Sequence, residues 1–400
     1  MQIRFRFDVV CPYAWLASTC IERLAAAHGA SVSWEPVLLG GIYRALGVGD
    51  EPTAARSEAR NRADWVDRQR LAELMGVTLR PHPKHPRRTV HALRLILAAP
   101  TADRQHVARS LFEAYHLHHE DISDPTVLAR VATRHGLDPR CMHSDELRSE
   151  LRRVTDEAVA DGLFGVPSFD VGSRLYFGVD RLPLVVRALG GSAVEHAPVT
   201  GGAEGEVIEF FHDVASPYAY LASTQVQRIA ARHGAAIRWV PVLLGALFRD
   251  IGTADVPLLT MSAPRQAYIS RDLHDWAEYW GVPFAFAPQF PVRSVTAQRV
   301  TIVDPDTIPA LYEATWAQQR EIASPEVLAE VLDQAGFAGK RLVGATQAPE
   351  VKAQLRANTA RAQSLGICGV PTARFRDRLY WGQDRLFHLD AALGGWQPEV

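Results

Sequence analysis

The chain has 400 residues, 47% of them hydrophobic and 22% charged, with a formal net charge of −2. That length favours two or three domains, and the neutral balance removes the electrostatic case for a nucleic-acid partner or an anionic membrane surface. No apolar run approaches the ~18 residues of a membrane span, and residues 1–7 lack the long apolar stretch of a secretion signal, so a cytoplasmic protein is expected.

In chain order, residues 3–9 alternate as a strand. Pro12 suits a first helical position, where its missing N–H costs nothing. Leu16, Ile21 and Leu24 then supply an apolar face, and His28-Gly29 closes the helix. Residues 32–38 read as the next strand. From about 55 to 160 the chain is rich in Ala, Arg, Leu and Glu at helical spacing, and Ser123-Asp124-Pro125 marks a helix start. Residues 166–171 and 174–177 are short strands, and Asp180 opens a last helix.

The same order then returns. Residues 3–40 and 208–245 align without a gap, 23 of 38 positions being identical. Ser324-Pro325 repeats the helix start, Gly165-Val166-Pro167 returns as Gly369-Val370-Pro371, and Gly178-Val179-Asp180-Arg181-Leu182 as Gly382-Gln383-Asp384-Arg385-Leu386. A period near 205 residues is far beyond the roughly 20–50 of solenoid units, so a whole domain is duplicated. The Gly-rich stretch 191–206 reads as a flexible linker between domains at 1–190 and 207–395. The fold expected for each is α/β, a thioredoxin-like domain with an all-helical insertion, at about 42–160 and 247–363.

Three elements converge in such a fold. The turn before the first helix holds Cys11 in copy one and Ser216 in copy two. A helix N-terminus carries partial positive charge and free N–H donors, which favour a thiolate on the Cys. A Ser there is no redox group; it either caps the helix or donates a hydrogen bond to the thiolate of a bound small thiol. The second element is Val166-Pro167 and Val370-Pro371, expected as cis peptides facing the helix start, with the Val backbone open to strand-like pairing with an extended thiol. The third is Asp180-Arg181 and Asp384-Arg385, whose charges and backbone donors suit the carboxylate and amino group of a ligand.

These motifs, with Phe210-Phe211-His212-Asp213-Val214-Ala215-Ser216-Pro217-Tyr218, Arg265-x-x-Tyr268-x-x-x-Asp272 and Pro288-Gln289-Phe290-Pro291, resemble the 2-hydroxychromene-2-carboxylate isomerase and kappa-class glutathione transferase family of the DsbA-like superfamily. The resemblance covers nearly all of both copies. It implies glutathione, or another low-molecular-weight thiol, bound with its sulfur at Ser216, its cysteinyl backbone against Val370-Pro371 and its glutamyl end near Asp384 and Arg385. It also implies reversible thiol addition to an aromatic or conjugated small molecule, and dimerisation, which a fused copy satisfies as an intramolecular pseudo-dimer or a homodimer extends. Copy one departs: Cys11 replaces the Ser, Ala63 stands for Tyr268 while Asp67 matches Asp272, and Ala14 stands where a DsbA-type site has its second Cys. This leaves two alternatives, a thiol-disulfide oxidoreductase using Cys11 through a mixed disulfide, or a partly degenerate thiol-binding scaffold.

The four cysteines form no Cys-x-x-Cys pair or zinc spacing, so no disulfide framework and no metal is expected; Cys20, Cys141 and Cys368 read as small core residues. Cys368 lies three residues before Pro371 and could approach Ser216. His116, His118, His119 and Glu120 read as a solvated helix end, copy two having Trp316, Gln318 and Gln319 there. The basic stretch 81–88 reads as a loop lining the substrate pocket.

Overall fold

The computed structural model describes residues 1–49, 57–192 and 202–400. In the first copy β1 (Gln2–Phe7) pairs in parallel with β2 (Ser31–Pro36), β3 (Ser168–Val171) runs antiparallel to β1, and β4 (Arg174–Phe177) antiparallel to β3. The second copy repeats this with β5 (Val207–His212), β6 (Ala236–Pro241), β7 (Thr372–Phe375) and β8 (Arg378–Trp381). The strand orders are β2-β1-β3-β4 and β6-β5-β7-β8. Of the linker expected at 191–206, residues 193–201 lie outside the described residues. No helix among the described residues is long and apolar enough to cross a membrane.

The alternation that makes β1 a strand also sets its two faces. Ile3, Phe5 and Phe7 are wholly buried, with Phe5 stacked on Phe169 at 5.5 Å and edge-on to Trp34 at 5.0 Å. Arg6, on the other face, is buried too and is neutralised by Asp161 and Asp170. Copy two reverses the charges: Glu209 on β5 takes Arg238, Arg361 and Arg374. Both central strands are therefore covered on both faces.

The first helix of each copy, Pro12–Ala27 and Pro217–His233, begins one residue after Cys11 or Ser216. A helical insertion follows and, after the short helices Leu39–Ala45 and Leu244–Asp250, includes Glu58–Leu74 in copy one and Ala263–Trp280 in copy two. The expected helix starts form as read: Asp124 caps the N–H of Thr126, and Ser324 that of Val327. The Asp-Arg pairs differ from expectation. They occupy single 3₁₀ turns, Val179–Arg181 and Gln383–Arg385, and the helices begin only at Leu182 and Leu386. Each turn follows a glycine, Gly178 or Gly382, at φ 96° and 106°, where any Cβ would collide with the carboxylate of Asp180 or Asp384. The arginines of both turns reach the other copy.

Candidate active site between the two copies

The chain just before each first helix is pinned at matched points. Asp8 is fully buried and accepts from the N–H groups of Val10 and Leu39 and the hydroxyl of Thr89; burial raises its pKa to about 6. Asp213 takes the N–H groups of Ala215 and Leu244 in the same way. The next carbonyl is held by the insertion: His116 Nε2 lies 3.0 Å from Val9 O, and Trp316 Nε1 donates to Val214 O at 2.8 Å. His116 is therefore buried support for the Cys11 turn and not part of a solvated helix end; only the repeat, which sets it opposite Trp316, signals this.

Cys11 and Ser216 occupy equivalent places against the two proline loops, and Val166-Pro167 and Val370-Pro371 are both cis. The Cys11 thiol donates to Val166 O at 3.3 Å, and the Ser216 hydroxyl donates to Val370 O at 3.4 Å. Ser216 also caps its helix, accepting from the Ala219 N–H at 3.2 Å. Both side chains are buried and neither lines the cleft, whose wall is formed by the Val166-Pro167 and Val370-Pro371 pairs that they bond to. The favoured thiolate expected at Cys11 is not what the geometry gives. Burial pushes its pKa up to about 12, outweighing the helix-terminal N–H groups of Ala14 and Tyr13 that pull it down.

The two proline loops open onto one cleft of about 590 Å³ between the copies, whose walls also include Asp180, Arg181, Asp384 and Arg385. These four residues are spent on a reciprocal ion network. Arg181 binds Asp272 at 2.7 Å and Asp384 at 2.6 Å; Arg385 binds Asp67 at 3.1 Å and lies 3.1 Å from Asp180. Each arginine thus crosses to the insertion helix of the other copy and to the other copy's Asp-Arg turn. Burial alone would lower the pKa of both arginines, and the facing carboxylates overcome it, so both stay charged. Burial likewise opposes ionisation of Asp67 and Asp384, and arginine charge outweighs it, leaving both below the usual carboxylate range. His388, 3.9 Å from Asp67, is driven down to about 3 by burial and is neutral.

The insertion helices complete the opposite copy's end of the cleft. In copy one Tyr13 donates to Asp67 at 2.9 Å, while Arg60, two turns earlier on the same helix, sits 4.0 Å over the Trp381 ring of copy two. Tyr268 of copy two accepts the N–H of Phe177 in copy one at 3.0 Å and donates to Asp272 at 3.1 Å. The Ala63-for-Tyr268 difference therefore falls at the Ser216 end and not, as the sequence order suggests, beside Cys11. Cys368 is buried on the cleft wall next to Val370. The loop at 81–88 is not on that wall: His82 stacks on Tyr115 at 4.6 Å, His85 meets its hydroxyl at 2.9 Å, and Arg87 pairs with Asp121. Its histidines find a tyrosine partner nearby, which copy two, with Thr315, does not offer.

Comparison with known proteins gives the family of each copy. The chain is 26% identical over 200 residues to a 2-hydroxychromene-2-carboxylate isomerase of Pseudomonas putida, covering 47% of this chain and 94% of that protein. It is also 26% identical over 201 residues to a glutathione S-transferase kappa 2 of Caenorhabditis elegans, covering 45% and 88%. Among solved structures, a 2-hydroxychromene-2-carboxylate isomerase matches 48% of this chain and 95% of its own at 22% identity and a TM-score of 0.43. A cytosolic disulfide reductase DsbM from Pseudomonas aeruginosa, solved with GSH, matches 48% and 93% at 16% identity and a TM-score of 0.33. Residues 2–190 and 207–394 each match the DSBA-like thioredoxin domain, and the chain belongs to that family twice over.

Proposed function

We propose that the protein is a glutathione-dependent isomerase or transferase acting on an aromatic or conjugated small molecule, with its working site at Ser216. The observation that carries this reading is the Ser216 hydroxyl 3.4 Å from the carbonyl of Val370, a residue of the cleft wall, so that a small shift of the proline loop would bring the hydroxyl to a ligand there. The kinship with 2-hydroxychromene-2-carboxylate isomerases and kappa transferases supports it.

The cleft walls suit such a tripeptide. The side-chain N–H of Gln383 is buried there without a hydrogen-bond partner among the described residues, a donor available to a carboxylate. The ion network sets four carboxylates, Asp67, Asp180, Asp272 and Asp384, against two guanidiniums, Arg181 and Arg385. Five further arginines, Arg60, Arg62, Arg70, Arg265 and Arg378, line the same cleft and offset that excess, so the walls suit a ligand that carries both an ammonium group and carboxylates. Arg181 and Arg385 are already paired, so holding the domains together is their first task.

Bound glutathione would supply a thiolate that adds reversibly to a conjugated carbon. The chain's own part is electrostatic. Ser216 turns its O–H from Val370 O toward the sulfur, a donor that stabilises the anion and raises no redox chemistry. Val370 then has its carbonyl free for the cysteinyl backbone. The buried turn, fixed by Asp213 and Trp316, keeps that donor in place and the surroundings dry.

Turnover of 2-hydroxychromene-2-carboxylate with reduced glutathione tests the reading. Ser216→Ala removes one preorganised donor and should lower kcat by about 10²–10³, while Cys11→Ser leaves it nearly unchanged. Equal rates in wild type and Ser216→Ala would contradict it. A thiol-disulfide route through Cys11 predicts instead no such turnover and a glutathione-dependent disulfide reduction that Cys11→Ser abolishes.

A further inference from the structure

The two ends of the cleft, related by the repeat, are walled differently. At the Cys11 end three rings crowd the Gly165-Val166-Pro167 loop. Phe164 lies 4.7 Å from Phe177 and 5.1 Å from Tyr268, and Tyr268 is locked by its bonds to Phe177 and Asp272. At the Ser216 end the equivalent positions are Cys368, Trp381 and Ala63. Two of three rings are missing, and Trp381 remains with Arg60 over its face. The cleft accordingly runs back along Leu365, Gly366 and Ile367 beside Val370, while the matching residues 161–163 of copy one are not among its walls.

We propose that this difference makes the cleft one-ended: the space left by Ala63 and Cys368 is the specificity pocket that admits the aromatic or conjugated group joined to the thiol, and Tyr268 with Phe164 closes the other end. The pocket is built across the domain boundary. Ala63 comes from the insertion of copy one and serves the site of copy two, so the Cys-bearing copy is required for the Ser-bearing copy to accept its second substrate. This deepens the glutathione reading of Ser216 and rests on it.

Calorimetric titration of the full chain with two probes separates the claims, one being reduced glutathione and the other S-(2,4-dinitrophenyl)glutathione, which carries an aryl group on the sulfur. Ala63→Tyr and Cys368→Phe each put a ring of the closed end into the open one, and a ring with no space to occupy is expelled or expels the ligand. Both variants should bind the aryl conjugate at least about tenfold more weakly than wild type and keep its affinity for glutathione. Phe164→Cys, at the closed end, should change neither at the Ser216 end. Wild-type affinity for the conjugate in both Ala63→Tyr and Cys368→Phe would overturn the proposal with the glutathione reading intact. A wild-type protein that binds neither probe would remove the glutathione reading, and this pocket with it.

Discussion

Two opposed effects meet at the sulfur of Cys11. The helix terminus offers the N–H groups of Tyr13 and Ala14, yet the side chain is buried under the Val166-Pro167 loop, and desolvation of the thiolate prevails, lifting the pKa to about 12. Since only the thiolate alkylates, the rate at Cys11 should climb steadily from pH 7 to pH 10 without levelling. At neutral pH it should be slower than for a free thiol by on the order of a thousandfold. Iodoacetamide labelling followed by peptide mass mapping reads Cys11 apart from the other three cysteines; a plateau between pH 6 and 8 would contradict the account. Ser216 meets the same burial without that cost, because a hydroxyl need not ionise to cap a helix or donate a hydrogen bond.

At the scale of elements, the 3₁₀ turns Val179–Arg181 and Gln383–Arg385 and the insertion helices Glu58–Leu74 and Ala263–Trp280 act as one unit. Each turn sends an arginine into the opposite insertion, where removing one partner leaves a buried charge uncompensated. Arg385→Met leaves Asp67 and Asp180 facing no cation from copy two and should destabilise the protein by about 3–5 kcal/mol; adding Asp67→Asn should recover part of that. Urea midpoints measure both, and a loss below about 1 kcal/mol for the single variant would mean the network is solvated. The sequence made the elements legible, because the strand alternation of residues 3–9, Pro12, Pro217 and the Asp-Pro and Ser-Pro starts are local signals. It made Val166-Pro167 and Val370-Pro371 legible because they recur with the Gly-x-Asp-Arg-Leu turn. It could not show that Tyr268 faces Phe177, or that Arg385 faces Asp67. Repetition states which residues are equivalent and is silent on which copy each one touches, since that depends on how two surfaces dock. His116 carries no local sign of burial, because its hydrogen bond is to the carbonyl of Val9, more than a hundred residues away; only the repeat, which sets it opposite Trp316, hints at it.

The whole molecule is a duplicated thioredoxin-like domain whose copies close one cleft and have diverged across it. The central claim is that this cleft binds glutathione through Ser216 and not through Cys11. Calorimetric titration of reduced glutathione into wild type, Cys11→Ser and Ser216→Ala, under reducing conditions, tests it most directly. The account predicts that wild type and Cys11→Ser bind alike and that Ser216→Ala loses most of the binding. Binding that survives Ser216→Ala and disappears in Cys11→Ser, or that is absent from all three proteins, would contradict it.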